Sequence, residues 1–186
     1  MVEAALGVPM QAGGKHALFG THNLLMGLAE GLYLEVIAID PEAEAPGRAR
    51  WFDLDNFEGA ARLGNWICRT DDLGGVLAAL PDGAGEAVAL SRGDLRWQMA
   101  VPKAGRLPFD ECQPALIEWQ GALHPAMMLV EQPVRLLELV VVHPEVEALR
   151  AQVAPMLADA RVRFEAGARP GLRAEFETPL GRRVLV

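Results

Sequence analysis

Three strand-like runs each set one glutamate among apolar residues: Leu32-Tyr33-Leu34-Glu35-Val36-Ile37, Ala115-Leu116-Ile117-Glu118-Trp119 and Leu136-Leu137-Glu138-Leu139-Val140-Val141. A carboxylate is costly to bury unless a cation, a metal, donors or trapped water meets it. A chain that repeats this arrangement must therefore supply a partner for each carboxylate. The pattern suggests a polar cavity with one carboxylate wall per repeat.

With 186 residues, 51% of them hydrophobic, the chain can bury a substantial core and fits one compact domain or two intimately packed modules. A formal charge of -8 argues against a general nucleic-acid binder, which needs a basic surface. No apolar stretch approaches the roughly 20 residues that span a bilayer, and the N-terminus lacks the pattern of a secretory signal. Cys68 and Cys112 form neither a disulfide framework nor a CxxC metal motif. These features together predict a cytoplasmic protein with no membrane or nucleic-acid partner.

Along the chain, Val2–Leu6 reads as a short helix closed by Gly7, and residues 7–21 as a loop containing Pro9, Gly13 and Gly14. His22–Leu28 and Leu32–Ile39 read as a hairpin. The stretch 41–64, richer in Pro, Gly and charge, is the expected linker or lid, with Trp51 as a candidate lid residue. Beyond it, Trp66–Thr70 is strand-like, Asp71-Asp72 offers a helix cap, and Leu73–Leu80 suits a helix. Strands near Ala87–Leu90, Leu95–Val101 and Ala115–Trp119 complete a β-α-β-β-β order. The same grammar returns as Leu136–Val142, a helix Glu145–Leu157, and strands near Val162–Glu165, Leu172–Glu177 and Arg183–Val186. The expected fold class is α+β, with repeated βαβββ modules at about 1–40, 65–120 and 135–186 in a single unit spanning the chain, their curved mixed sheets forming a cup.

The ordered set Gly13-Gly14-Lys15-His16, Gly20-Thr21-His22-Asn23, Tyr33-Leu34-Glu35, Arg50-Trp51-Phe52, Asn65-Trp66, Leu116-Ile117-Glu118-Trp119 and His124-Pro125-Ala126 resembles the glyoxalase-like branch of the vicinal oxygen chelate superfamily. That resemblance implies a small-molecule ligand in the cup. It also implies a divalent metal held by glutamates of the last strands, and Glu35 and Glu118 match those positions. The first-strand ligand, usually histidine, falls at Asn65 or Trp66 in the second module, and neither is a good metal ligand. By the same comparison the first module lacks its opening strand, because Met1 falls inside the expected helix. Either the frame starts further upstream, or an exposed sheet edge needs a partner and implies a homodimer.

The candidate catalytic and metal-binding residues are thus Glu35 and Glu118, and the candidate ligand-binding residues His16, His22, Trp66 and His124. Each has a blander alternative. Glu35 could instead pair with Arg69 or Arg96, His22 could be a hydrogen-bonded structural histidine, and Trp66 could be core. Glu138 suits a solvent-facing or edge role, and His143 a helix cap. No GxGxxG or P-loop pattern exists, and no Ser-His-Asp order is visible. The resemblance leaves two functions open: a lyase, isomerase or dioxygenase-type enzyme, or a binding protein that uses the same cup without turnover. The ligand set does not support lactoylglutathione lyase chemistry.

Overall fold

The computed structural model describes residues 1–81 and 83–186. Its strands form three sheets, of three, four and four strands. The short helix α1 (Val2–Leu6) precedes the antiparallel strands β1 (Gln11–His16), β2 (Thr21–Gly27) and β3 (Tyr33–Ile39). Within the described residues β3 is an edge strand of this sheet, bonded to β2 alone.

Strand β1 lies in the stretch expected to be a loop. Its glycines hid it, and they are what shape it. The β1–β2 register shifts between Ala12 and Lys15, so Gly13 and Gly14 form a bulge. A Cβ on Gly13 would sit 1.9 Å from Asn23 Oδ1, and one on Gly14 would sit 2.5 Å from Arg92 Cδ. The bulge is therefore the space into which two polar side chains fit.

The second sheet follows the expected β-α-β-β-β order: β4 (Ile67–Arg69), α2 (Leu73–Ala79), β5 (Glu86–Arg92), β6 (Leu95–Val101) and β7 (Ala115–Gln120). Its spatial order is β4-β7-β6-β5, with β4 parallel to β7 and the other pairs antiparallel. Asp72 caps α2 as expected, accepting from Gly75 N–H at 2.8 Å. The two-residue β5–β6 turn places Gly93 at φ +56°, where a Cβ would be strained.

After the one-turn helix α3 (Pro125–Met128), the third module supplies β8 (Arg135–His143), α4 (Val146–Val153), β9 (Val162–Ala166), β10 (Gly171–Thr178) and β11 (Gly181–Leu185). The order of elements repeats, but the strand order does not. This sheet runs β11-β10-β8-β9, with the first strand inside it and parallel to the second. Helix α4 gives way to a 3-10 turn at Ala154–Met156, where Pro155 has no N–H to continue the α pattern.

Two buried clusters organise these sheets. One draws Leu6, Met26, Leu73, Leu116, Val141, Leu149 and Phe176 from all three sheets and from α1, α2 and α4. The other joins Phe19, Trp51, Leu54, Trp97, Met99 and Ile117 from the first two sheets and the segment between them. That connecting segment, expected to be a linker or lid, folds into a 3-10 turn at Trp51–Asn56 with Trp51 and Leu54 buried. Phe52 and Asp53 take left-handed backbone there, at φ 58° and 50°, a strained arrangement fixed by Asp53 N–H donating to Gly105 O at 3.0 Å.

Candidate functional site

Side chains of β1, β2 and β3 face those of β6 and β7 across a cleft, and the Trp51-Phe52 turn forms its third side. The cleft encloses about 430 Å³ of free space, counting its open mouth. Its walls differ in chemistry. The second sheet presents Ile67, Trp97, Met99, Ile117 and Trp119, with Trp97 and Trp119 paired across strands at 5.2 Å between ring centres. The first sheet presents His16, Asn23, Tyr33 and Glu35, joined by Arg92 from the end of β5.

Asn23 is the hub of that polar wall. Its Nδ2 donates to Glu35 Oε1 at 2.7 Å, while its Oδ1 accepts from Arg92 Nη1 at 3.2 Å and from Gly14 N–H at 2.7 Å. The amide thus links a carboxyl to a guanidinium without an ion pair between them. Among the described residues no carboxylate lies within 4.0 Å of Arg92. The second oxygen of Glu35 has no bonded partner among those residues. Burial raises the Glu35 pKa above the usual carboxylate range, opposed by the Asn23 bond and by the Arg92 charge. Burial likewise raises Tyr33, with the neighbouring Glu35 charge adding to it.

His16 ends β1 beneath this wall. Its Nδ1 lies 3.1 Å from Thr21 Oγ1, and Arg92 Nη1 lies 3.5 Å from its Nε2. Arg92 can only donate, so Nε2 accepts, and Nδ1–H donates to the threonine. Burial, and then the Arg92 and His22 charges, lower its pKa to about 4, so the ring is neutral at physiological pH. Trp51 meets it edge-on at 5.1 Å and itself stacks on Phe19 at 4.1 Å.

Of the residues expected from the sequence, the structure brings Glu35 and His16 together in this cleft and sets His124 at its rim. His124 caps α3, accepting from Ala126 N–H at 3.2 Å, and its ring lies 5.9 Å from Tyr33 and 5.3 Å from Trp119. Burial, followed by the Arg69 charge, lowers its pKa.

The other three candidates lie elsewhere. Glu118 sits on the opposite face of β7 from Ile117 and Trp119, and its Oε2 accepts from Leu73 N–H at 2.7 Å, at the start of α2. Side chains alternate along a strand, so an aliphatic-Glu-aromatic run does not reveal which face points inward. His22 alternates with the inward Thr21 and Asn23 and is exposed on the outer face. Trp66 is buried in the core shared by all three sheets, where its Nε1 donates to Cys112 O at 2.8 Å. The arginines proposed for Glu35 are also elsewhere: Arg69 pairs with Asp71, and Arg96 donates to Gly93 O and Leu95 O. Glu138 lies on the interior strand β8, not at a sheet edge, and bonds Arg163 at 3.0 Å, while His143 accepts from Glu145 N–H at 3.0 Å ahead of α4.

Sequence reasoning missed Arg92 and Asn23. The available signal was Gly13-Gly14, because adjacent glycines in a strand mark a place where something approaches the backbone closely.

A glyoxalase-like domain model matches residues 1–157, which take in the first two sheets, β8 and α4. The chain belongs to the glyoxalase-like family. No curated protein matches this glyoxalase-like chain. A hypothetical protein from Staphylococcus aureus has a similar structure, with a TM-score of 0.58, 16% identity, and coverage of 87% of this chain and 78% of that one. At that identity the likeness concerns the fold alone.

A divalent metal of the kind the resemblance implies does not fit these residues. Glu118 faces away from the cup, and the β7 side chains that face it are apolar. Arg92 adds a fixed positive charge to the wall that carries Glu35. Among the described residues no three His, Cys, Asp or Glu side chains converge as a metal set. Nor is any described helix long and apolar enough to cross a membrane.

Proposed function

We propose that this glyoxalase-like protein binds a small molecule in the cleft between its first two sheets. The ligand would lie with an apolar face on Trp97 and Trp119 and its polar groups toward Asn23, Glu35 and Arg92. The observation that carries this reading is the opposition of an aromatic wall to a wall of linked polar groups, with one Glu35 oxygen left unbonded. Binding sites of this kind combine apolar lining with a few convergent polar groups.

Two uses of the site follow, and one observation favours chemistry over storage. A buried carboxyl held above its usual pKa, with one oxygen unbonded in the cleft, makes Glu35 the candidate acid-base group. Asn23 would orient it, and the Trp51-Phe52 turn would keep water from it. Sequestration or sensing needs the same cleft without turnover.

The test is titration of the purified protein with small aromatic and hydroxy- or keto-compounds, followed by tryptophan fluorescence and, in parallel, by product analysis. Three of the four tryptophans, Trp51, Trp97 and Trp119, line the cleft, so ligand entry should quench emission saturably. Saturable quenching with turnover lost in Glu35→Gln supports the enzyme. Quenching without turnover supports the binding protein, and no quenching across the panel contradicts both.

A further inference from the structure

We infer that Arg92 makes this cleft selective for a planar, conjugated monoanion, of the class of aromatic carboxylates, with the negative group on the guanidinium and the ring on the Trp97–Trp119 pair. The inference rests on the proposed ligand site and goes further by assigning the ligand's charge and shape.

Arg92 has no anionic partner among the described residues. A guanidinium carries five N–H donors in a rigid fork. Here Nη1 is engaged by two neutral acceptors, Asn23 Oδ1 at 3.2 Å and His16 Nε2 at 3.5 Å. The other nitrogens bond no described residue. A half-buried arginine usually faces a carboxylate, yet none of the described ones lies within 4.0 Å of it.

The local structure holds the charge in that state. Gly14 leaves the space in which the arginine stem lies against β1. Asn23 interposes its amide between Arg92 and Glu35, so the nearest acid in the cleft bonds the amide instead. His16 turns a lone pair toward the guanidinium and is neutral, which adds no charge. The fork is positioned but not neutralised, and a ligand carboxylate is the group that matches its geometry.

Shape follows from the opposite wall. Trp97 and Trp119 are tilted by 39° with ring centres 5.2 Å apart, and Trp51 and Phe52 stack on the third side at 5.4 Å. The aromatic wall of Trp97 and Trp119 favours a flat ligand. The cleft is open to solvent at its mouth, so a ligand ring can lie on the tryptophans with its remainder projecting outward.

The experiment uses the full chain and four probes: 1-naphthoate, its neutral isostere 1-naphthamide, the non-planar decalin-1-carboxylate and the cationic 1-naphthylmethylamine. Affinities are read by tryptophan quenching and by calorimetry. The expected order places naphthoate about tenfold or more ahead of the other three, as a charge-assisted bidentate contact would give. Arg92→Met should abolish the preference over naphthamide. Arg92→Lys keeps the stem and charge without the fork, and it should retain only part of the preference. If naphthoate and naphthamide bind equally, or the preference survives in Arg92→Met, the anion assignment is wrong while the ligand site stands. If decalin-1-carboxylate matches naphthoate, planarity is wrong. If none of the four binds, the inference falls, and the ligand site falls with it.

Discussion

Removing the Asn23 amide leaves Glu35 Oε1 and the Gly14 N–H without a bond and Arg92 Nη1 with His16 Nε2 alone. Each orphaned buried group costs about 1–3 kcal/mol, and water entering the cleft recovers part of the sum. Asn23→Ala should therefore lower unfolding free energy by about 2 kcal/mol or more, measured by urea denaturation. Glu35→Leu should behave differently. Exchanging a partly buried carboxyl for an apolar side chain leaves the fold intact or firmer, and the same denaturation curve should show no loss while ligand quenching weakens. If Glu35→Leu unfolds, the residue is a structural anchor and not part of a ligand site.

His16 and Glu35 also pull the pH dependence of stability in opposite directions. The folded His16 pKa is about 4 against an ordinary value of 6.5, so the unfolded chain binds more protons between them. Stability from that residue is complete above about 6.5 and is lost as pH falls toward 4. The Glu35 pKa is raised on folding, so its contribution is present below the unfolded carboxylate value and lost as pH rises through the folded one. Thermal melts of His16→Gln and Glu35→Gln should separate the two. Relative to the wild type, the first should lose less stability between pH 6.5 and 4, and the second less as pH rises above 4.5. Parallel profiles for wild type and His16→Gln would show that the ring is not held neutral.

At the scale of elements, β7 shows how much a strand pattern leaves open. Ile117 and Trp119 line the cleft and Glu118 bonds the first turn of α2, yet the run reads equally well with the faces exchanged. What decides the face is α2 itself. That helix is only seven residues long and contains Gly74 and Gly75, so it gains from a carboxylate at its N-terminus in addition to the Asp72 cap. Glu118→Ala should cost about 1 kcal/mol and leave ligand affinity unchanged. An affinity loss comparable to that of Glu35→Leu would place Glu118 back in the site.

Most elements were legible because their patterns were strong. The alternation in Leu95–Val101, the cap before Leu73 and the apolar run at β8 carried the strand and helix assignments. Strand β1 was not legible, because Gln11-Ala12-Gly13-Gly14-Lys15-His16 has neither alternation nor β-branched residues; pairing to β2 and the bulge create the strand. The cleft was half legible for a related reason. Glu35, His16 and the rim position of His124 could be named from local sequence, whereas Arg92 reaches the cleft from the far end of β5, next to a turn.

For the whole molecule, the core that draws on all three sheets makes a physical claim about folding. Met26, Leu116 and Phe176 belong to different sheets but to one buried cluster, so none of the sheets can lose its packing without exposing the others. Trp51, Trp97 and Trp119 line the cleft and report the first two sheets, Trp66 lies in the shared core with Phe164 of β9 at 6.4 Å, and far-ultraviolet circular dichroism reports all three sheets. Urea transitions followed by the two signals should coincide. An earlier dichroism transition, with no more than one tryptophan's share of the emission changed, would mean that the third sheet unfolds on its own. The topology of that sheet was beyond the sequence: Leu136–Val142 and the following helix share their grammar with the second module, and nothing local states that β8 sits inside its sheet rather than at the edge.

The central claim, that ligands enter between the first two sheets, is tested most directly by a crystal structure with a compound that quenches the tryptophans. Density is expected against Trp97 and Trp119, with the compound's polar group within hydrogen-bond distance of Arg92 or Glu35. Density in the groove between α2 and α4, lined by Val76, Leu80 and Met156, with the cleft empty, would contradict it.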